Sequence, residues 1–158
     1  MSGAEKPRTG GCLCGAVKYE LTGDAAKPMW TTVCHCLNCR RRTGSALYTA
    51  SICPKEGFTI TEGEDMLSTY DDTMTDSGEV LKRQFCKRCG SNMFNFSSRY
   101  PVVSISAGSH DDFEDWKPTL EQYCIHRADF VGKAAGVEKR YVESIEGELE
   151  KEEKTGTS

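Results

Sequence analysis

The chain has 158 residues, a formal net charge of −4 and a pI near 5.5. That acidic balance argues against broad nucleic-acid binding, which leaves an overall basic footprint. The length suits one domain with a real core, and no apolar run approaches the ~20 residues of a membrane-spanning helix. The N-terminal residues Met1 to Arg8 lack an apolar signal core. The expectation is therefore a cytoplasmic protein in a reducing compartment, with no nucleic-acid or membrane partner. In such a compartment closely spaced cysteines bind metal more often than they form disulfides. Nine cysteines, an odd number, also suit a complete disulfide framework poorly.

In chain order, residues 1–9 are polar and unpatterned, and are expected to form a flexible arm. Residues 16–21 (Ala-Val-Lys-Tyr-Glu-Leu) alternate with period two, which predicts a strand with Val17, Tyr19 and Leu21 on one face. Residues 29–33 predict a second strand that feeds directly into Cys34. Residues 36–43 predict a turn or one short helical turn. Further strands are expected over 46–53 (stopped by Pro54), 58–61, 67–70, 80–85, 92–96 and 102–106, and a last one over 121–126. The stretches 71–78 and 111–116 read as loops. The tail 133–158 becomes rich in Glu, Lys, Gly and Ser and is expected to be disordered. Many short strands with frequent turn signals define an all-β fold, with a single domain over 10–132.

Seven of the nine cysteines fall in three groups: Cys12 and Cys14; Cys34, Cys36 and Cys39; Cys86 and Cys89. Two cysteines one or two residues apart reach one ion from a single tight turn, and zinc takes a tetrahedral shell of such ligands. Gly15 and Gly90, each directly after a cysteine, suit turns that need positive φ. One partition joins Cys12/Cys14 to Cys86/Cys89 as a closed structural site. Cys34, Cys36 and Cys39 then hold a second ion whose fourth position is open, the pattern of a catalytic zinc. A second partition joins Cys36/Cys39 to Cys86/Cys89 as a ribbon-like site, and spacing alone leaves both open. Cys53 and Cys124 stand singly in strand-like runs and read as small buried hydrophobes.

The three groups together resemble the glutathione-dependent formaldehyde-activating enzyme family, which includes centromere protein V. The likeness rests on Gly11-Cys12-Leu13-Cys14-Gly15-Ala16-Val17, on Cys34-His35-Cys36-Leu37-Asn38-Cys39-Arg40-Arg41-Arg42-Thr43-Gly44-Ser45, and on Phe85-Cys86-Lys87-Arg88-Cys89-Gly90-Ser91. The resemblance implies twisted antiparallel sheets of a zinc-bound "β-tent" and two zinc ions per chain. It implies that Cys12, Cys14, Cys86 and Cys89 hold the structural zinc, and that Cys34, Cys36 and Cys39 hold the catalytic one. It also implies a carbon–sulfur lyase that forms or cleaves hemithioacetals, with glutathione as co-substrate and S-hydroxymethylglutathione as the model substrate, in formaldehyde detoxification.

Three thiolates around zinc carry a formal charge of −1 and can accept a thiol or a hemithioacetal oxygen as fourth ligand. Arg40 and Arg41, with Arg42, are the candidate holders of a glutathione-like carboxylate, since a guanidinium fork matches that group. The bland alternative is a solvated basic turn. His35, between two ligands, points away from the metal and reads as a packing or hydrogen-bonding residue, at most a proton shuttle. His110 and His126 are too isolated for more than structural or surface roles. Asn38, Thr43 and Ser45 are possible polar contacts, while Tyr48, Phe94 and Phe96 read as core. Two competing functions are a non-catalytic zinc module that binds proteins and, more weakly, a redox sensor built on Cys34, Cys36 and Cys39.

Overall fold

The computed structural model describes residues 6–151. Its strands are β1 (Arg8–Gly11), β2 (Lys18–Leu21), β3 (Trp30–Cys34), β4 (Tyr48–Pro54), β5 (Phe58–Glu62) and β6 (Leu67–Asp72). They continue with β7 (Leu81–Cys86), β8 (Asn92–Ser97), β9 (Val102–Ser106), β10 (Leu120–Gln122) and β11 (Lys139–Arg140). Among the described residues a single α-helix, α1 (Leu37–Thr43), interrupts them. A three-stranded antiparallel sheet has the order β1-β2-β5, and an eight-stranded sheet has the order β11-β10-β3-β4-β9-β8-β7-β6. The expected all-β single domain is present. The large sheet is antiparallel from β3 to β6, but β10 runs parallel to both β3 and β11.

Period-two alternation makes the large sheet two-faced. Phe94, Phe96, Val103, Ile105 and Cys53 point to one face, where they meet Val17, Tyr19 and Leu21 of β2. Val17 and Leu21 are fully buried there, each stabilising the fold by about 2 kcal/mol. Tyr19 sets its ring edge-on to Phe94 at 5.3 Å between centroids. Its hydroxyl meets His110 Nδ1 at 3.0 Å, and His110 Nε2 meets Ser51 Oγ at 2.9 Å. His110 therefore belongs to a buried polar chain between the sheets. The alternate residues Asn95, Ser97, Ser104, Tyr48, Ala50 and Ile52 face the other side, where they line a cavity.

Four expectations are corrected. β1 takes up Arg8 and Thr9, which pair with Leu21 and Glu20, so the expected arm loses its last two residues; its residues 1–5 lie outside the described part. The stretch 36–43 forms a full seven-residue helix, because the Cys36 thiol caps it by accepting from Cys39 N at 3.2 Å and Gly44 ends it at φ 64. The last predicted strand stops at Gln122, since Tyr123 turns the backbone to φ 57 and Cys124–His126 form a 3-10 turn. The tail is ordered as far as Lys151: β11 joins β10, Glu150 N donates to Arg140 O at 2.7 Å, and Glu150 pairs with Arg127 at 3.1 Å. Ionic and backbone bonds fasten this segment, and an apolar pattern cannot reveal them. Residues 152–158 lie outside the described part.

Candidate metal centres and active-site cavity

Two groups of thiols form. The sulfurs of Cys12, Cys14, Cys86 and Cys89 lie within 4.8 Å of one another, as do those of Cys34, Cys36 and Cys39. The ribbon-like joining of Cys36/Cys39 to Cys86/Cys89 is not the grouping that the fold makes. In the four-thiol group the Cys12–Cys14 and Cys14–Cys86 separations are 3.6 and 3.8 Å. A tetrahedron with metal–sulfur bonds of about 2.3 Å has edges of about 3.8 Å, so the donor set fits a soft divalent ion. Both turns have the backbone that the glycines predict: Gly15 sits at φ 74 and Gly90 at φ 75. Ser91 ties the turns together, accepting from Leu13 N at 3.0 Å and meeting Cys89 Sγ at 3.2 Å. Hydrogen bonds from Ser91 hold the Cys89 thiol down to about 5. Cys53 and Cys124 stand apart from both groups and are buried, as expected.

The three-thiol group sits where β3 runs into α1. Cys34 ends β3, pairing with Tyr48, Cys36 caps the helix, and Cys39 lies one turn on. Hydrogen bonds from Cys34 and Cys39 bring the Cys36 thiol down to about 3, with the Arg83 guanidinium adding to the effect. The same bonds, together with burial, hold Cys34 well above the ordinary thiol range. Three sulfurs this close cannot all ionise without a cation between them, so this donor set also fits a metal.

All three thiols line a cavity of about 330 Å³ on the second face of the large sheet. Several wall residues were not legible as site residues. Arg83, opposite Asn95 in the β7–β8 ladder, is buried and places Nε and one terminal nitrogen 2.8 Å from Asp72 Oδ2. Asp72 also accepts from Asn38 Nδ2 at 3.2 Å and from Met74 N at 3.1 Å, so it binds the start of α1 to β6 and β7. Tyr123 packs on the thiol group. Burial, then the Asp76 carboxylate, pushes its phenol above the usual range, so it keeps its proton. Tyr48, expected in the core, is both buried and part of this wall; its hydroxyl meets Ser106 Oγ at 3.0 Å and accepts from Asn95 Nδ2 at 3.1 Å. His126, read as having a structural or surface role, also lines the cavity.

Arg40 and Arg41 are exposed and lie outside the cavity wall. They occupy the last turn of α1, where cations favour the helix C-terminus. Arg42 bonds Gln84 O at 3.4 Å and covers the Tyr48 ring from 5.3 Å. Thr43 spends its hydroxyl on Cys39 O at 2.8 Å. His35 is fully buried behind the thiols, and its Nε2 meets Glu121 Oε1 at 3.0 Å. It is a hydrogen-bonding residue, as expected of a histidine between two ligands.

The fold and site define an all-β protein whose two cysteine groups can hold metal, one beside a cavity. The profile of the family described as glutathione-dependent formaldehyde-activating enzyme matches residues 7–126, and the chain belongs to that family. A relative from Halomonas elongata, named by inference as a glutathione-dependent formaldehyde-activating enzyme, is 30% identical over 97 residues, 60% of this chain and 59% of its own length. One from Talaromyces marneffei, named in the same way, is 29% identical over 83 residues, 52% of this chain and 41% of its own. The chain thus spans about half the length of these relatives. A crystal structure of a Rhodobacter sphaeroides protein shares the fold, with a TM-score of 0.51 and 23% identity over 66% of this chain and 88% of that one. No helix among the described residues is long and apolar enough to cross a membrane.

Proposed function

We propose that this protein is a zinc-dependent enzyme of the carbon–sulfur lyase type, working on thiol adducts of small aldehydes in a reducing compartment. The observation that carries the reading is the difference between the two thiol groups. Cys12, Cys14, Cys86 and Cys89 make a closed set of four, whereas Cys34, Cys36 and Cys39 make a set of three that faces a cavity. The first set would hold a structural zinc and the second a catalytic one. A zinc ion in the second set supplies Lewis acidity to the reacting thiol and oxygen.

In the forward direction a thiol sulfur bonds to the aldehyde carbon, the C=O bond becomes C–O, and the thiol proton ends on that oxygen. The reverse reaction breaks the C–S bond and returns the proton to sulfur. The Tyr123 phenol, close enough to Cys36 and Cys34 to feel their charge, holds a proton at its hydroxyl and can hydrogen-bond the developing oxyanion. Arg83 offsets thiolate charge from inside the wall, and buried Ala50 with half-buried Ile52 gives the wall an apolar strip beside the thiols.

Metal counting with two serine variants tests this. The purified protein should hold two zinc ions. Cys36→Ser should stay folded, keep one ion and lose turnover of the glutathione–formaldehyde adduct. Cys86→Ser should fail to fold, because a structural zinc contributes on the order of 10 kcal/mol to folding. A Cys36→Ser protein with full turnover would overturn the proposal.

A further inference from the structure

The three-thiol group is tied from behind to a segment that lies beyond the part matched by the family profile, which ends at 126. Arg140 of β11 donates from Nε to Glu121 Oε2 at 2.9 Å, and Arg127 reaches the same oxygen at 3.4 Å. Glu150 holds both arginines, pairing with Arg127 at 3.1 Å and donating its N–H to Arg140 O at 2.7 Å. The other oxygen of Glu121 meets His35 Nε2 at 3.0 Å. His35 stands between Cys34 and Cys36 and is fully buried. Its Nδ1 has no partner among the described residues, so Glu121 is the one hydrogen-bond partner of the ring there.

A second line of bonds from the same segment holds Tyr123. Tyr123 N donates to Glu143 O at 2.7 Å, Cys124 N to Tyr141 O at 3.1 Å and Ile125 N to Val142 O at 3.1 Å. These bonds fix the turn that puts Tyr123 at φ 57 and packs it on the thiol group. The four-thiol group is served by other bonds, from Val17 N to Cys12 Sγ at 3.2 Å and through Ser91. Groups that orient metal ligands from behind are worth about 10–100-fold in metal affinity. A centre whose three ligands come from one short stretch depends on such support.

We infer that the C-terminal segment 139–150 braces the three-thiol centre, with Glu121 and Arg140 as positioning residues that raise its affinity for metal. The inference rests on the reading of Cys34, Cys36 and Cys39 as a metal centre. It assigns to the end of the chain a role at a site whose thiols lie about a hundred residues earlier.

Competition with a chromophoric zinc chelator measures the affinity of each centre, with Cys36→Ser as the reference for the four-thiol ion alone. Arg140→Ala should lower the affinity of the three-thiol centre about tenfold and leave the four-thiol centre unchanged. Glu121→Gln, which keeps an acceptor for His35 but loses the charge that holds the arginines, should give a smaller loss at the same centre. Arg140→Lys should recover part of the affinity lost in Arg140→Ala. Val103→Ala opens a space in the core on the other face of the large sheet. It controls for general loss of stability and should change neither affinity. If Arg140→Ala does not fold, Glu121→Gln decides on the same terms. An unchanged three-thiol affinity, an equal loss at both centres, or the same loss in Val103→Ala overturns the inference and leaves the metal centre standing. A wild-type protein that holds one ion overturns both.

Discussion

Glu121 offers the sharpest test of how the site is held. It is fully buried beside the three-thiol group. Its Oε1 accepts from His35 Nε2 at 3.0 Å, and its Oε2 accepts from Arg140 Nε at 2.9 Å and from Arg127 at 3.4 Å. Burial opposes the Glu121 charge, but the His35 hydrogen bond and the Arg127 guanidinium outweigh it and hold the carboxyl below its usual range. Glu121→Ala leaves His35 Nε2 and Arg140 Nε without an acceptor. Arg127 keeps Glu150, and Arg140 keeps one bond to Ala134 O at 2.8 Å. Breaking a buried pair costs about 3–5 kcal/mol, and those retained bonds place this case near the lower end. A loss of about 3 kcal/mol lowers the melting temperature of a chain this size by roughly 10 °C. Thermal unfolding at fixed zinc concentration measures it, with Glu121→Gln expected between wild type and alanine. The folded carboxyl is depressed, so its contribution is present above the unfolded value of about 4.3 and fades as pH falls below that. A loss under about 1 kcal/mol would show that desolvation cancels the pairing and would refute the reasoning.

Two further outcomes follow from buried geometry. Burial, then the Arg8 charge, brings His110 down to about 4, while the unfolded ring titrates near 6.5; stability should therefore fall as pH drops from about 6.5 towards 4, and His110→Gln should flatten that part of the profile in urea unfolding at successive pH values. Gly63 sits at φ 74 and a Cβ there would run into the Ala16 carbonyl, so Gly63→Ala should destabilise by roughly 2 kcal/mol or more and lower the urea midpoint at unchanged slope, whereas Gly78→Ala, with open space around it, should cost less.

The legible parts of the fold are those written in period two or in cysteine spacing. The run Phe94-Asn95-Phe96-Ser97 sends its aromatics to the core and its polar residues to the cavity, and alternation alone marks such a strand. The three cysteine groups announced turns that can hold metal, and the two glycines placed their φ. Arg83 was hidden because Lys82, Arg83 and Gln84 are consecutive polar residues of one strand. Only the β7–β8 register, which puts Arg83 opposite Asn95, shows which of them turns inward. Tyr123 was hidden for a different reason: a positive φ at a tyrosine is imposed by its surroundings, here the bond from Tyr123 N to Glu143 O at 2.7 Å. The C-terminal segment was misread because ion pairs to Glu121 and Arg127 and backbone bonds, with Val137 as its one buried apolar residue among those described, fasten it.

Charge explains why the arginines divide as they do. Three thiolates facing a cavity repel one another and any anion that enters. A buried cation beside them eases the first repulsion, and Arg83 acts on both Cys36 and Cys39 in that sense. A guanidinium left free there would also draw carboxylates into the cavity. Asp72 prevents this by accepting two of its N–H groups, and its bonds to Asn38 Nδ2 and Met74 N fix that arrangement to α1 and to the loop after β6. Arg83 thus acts on the thiols without serving as an anion site. The basic run Arg40–Arg42 lies on the far turn of α1, where its charge meets the helix C-terminus. The basic run next to the thiol motif in sequence therefore lies outside the cavity wall in space, and the proton-bearing group packed on the thiols is the Tyr123 phenol.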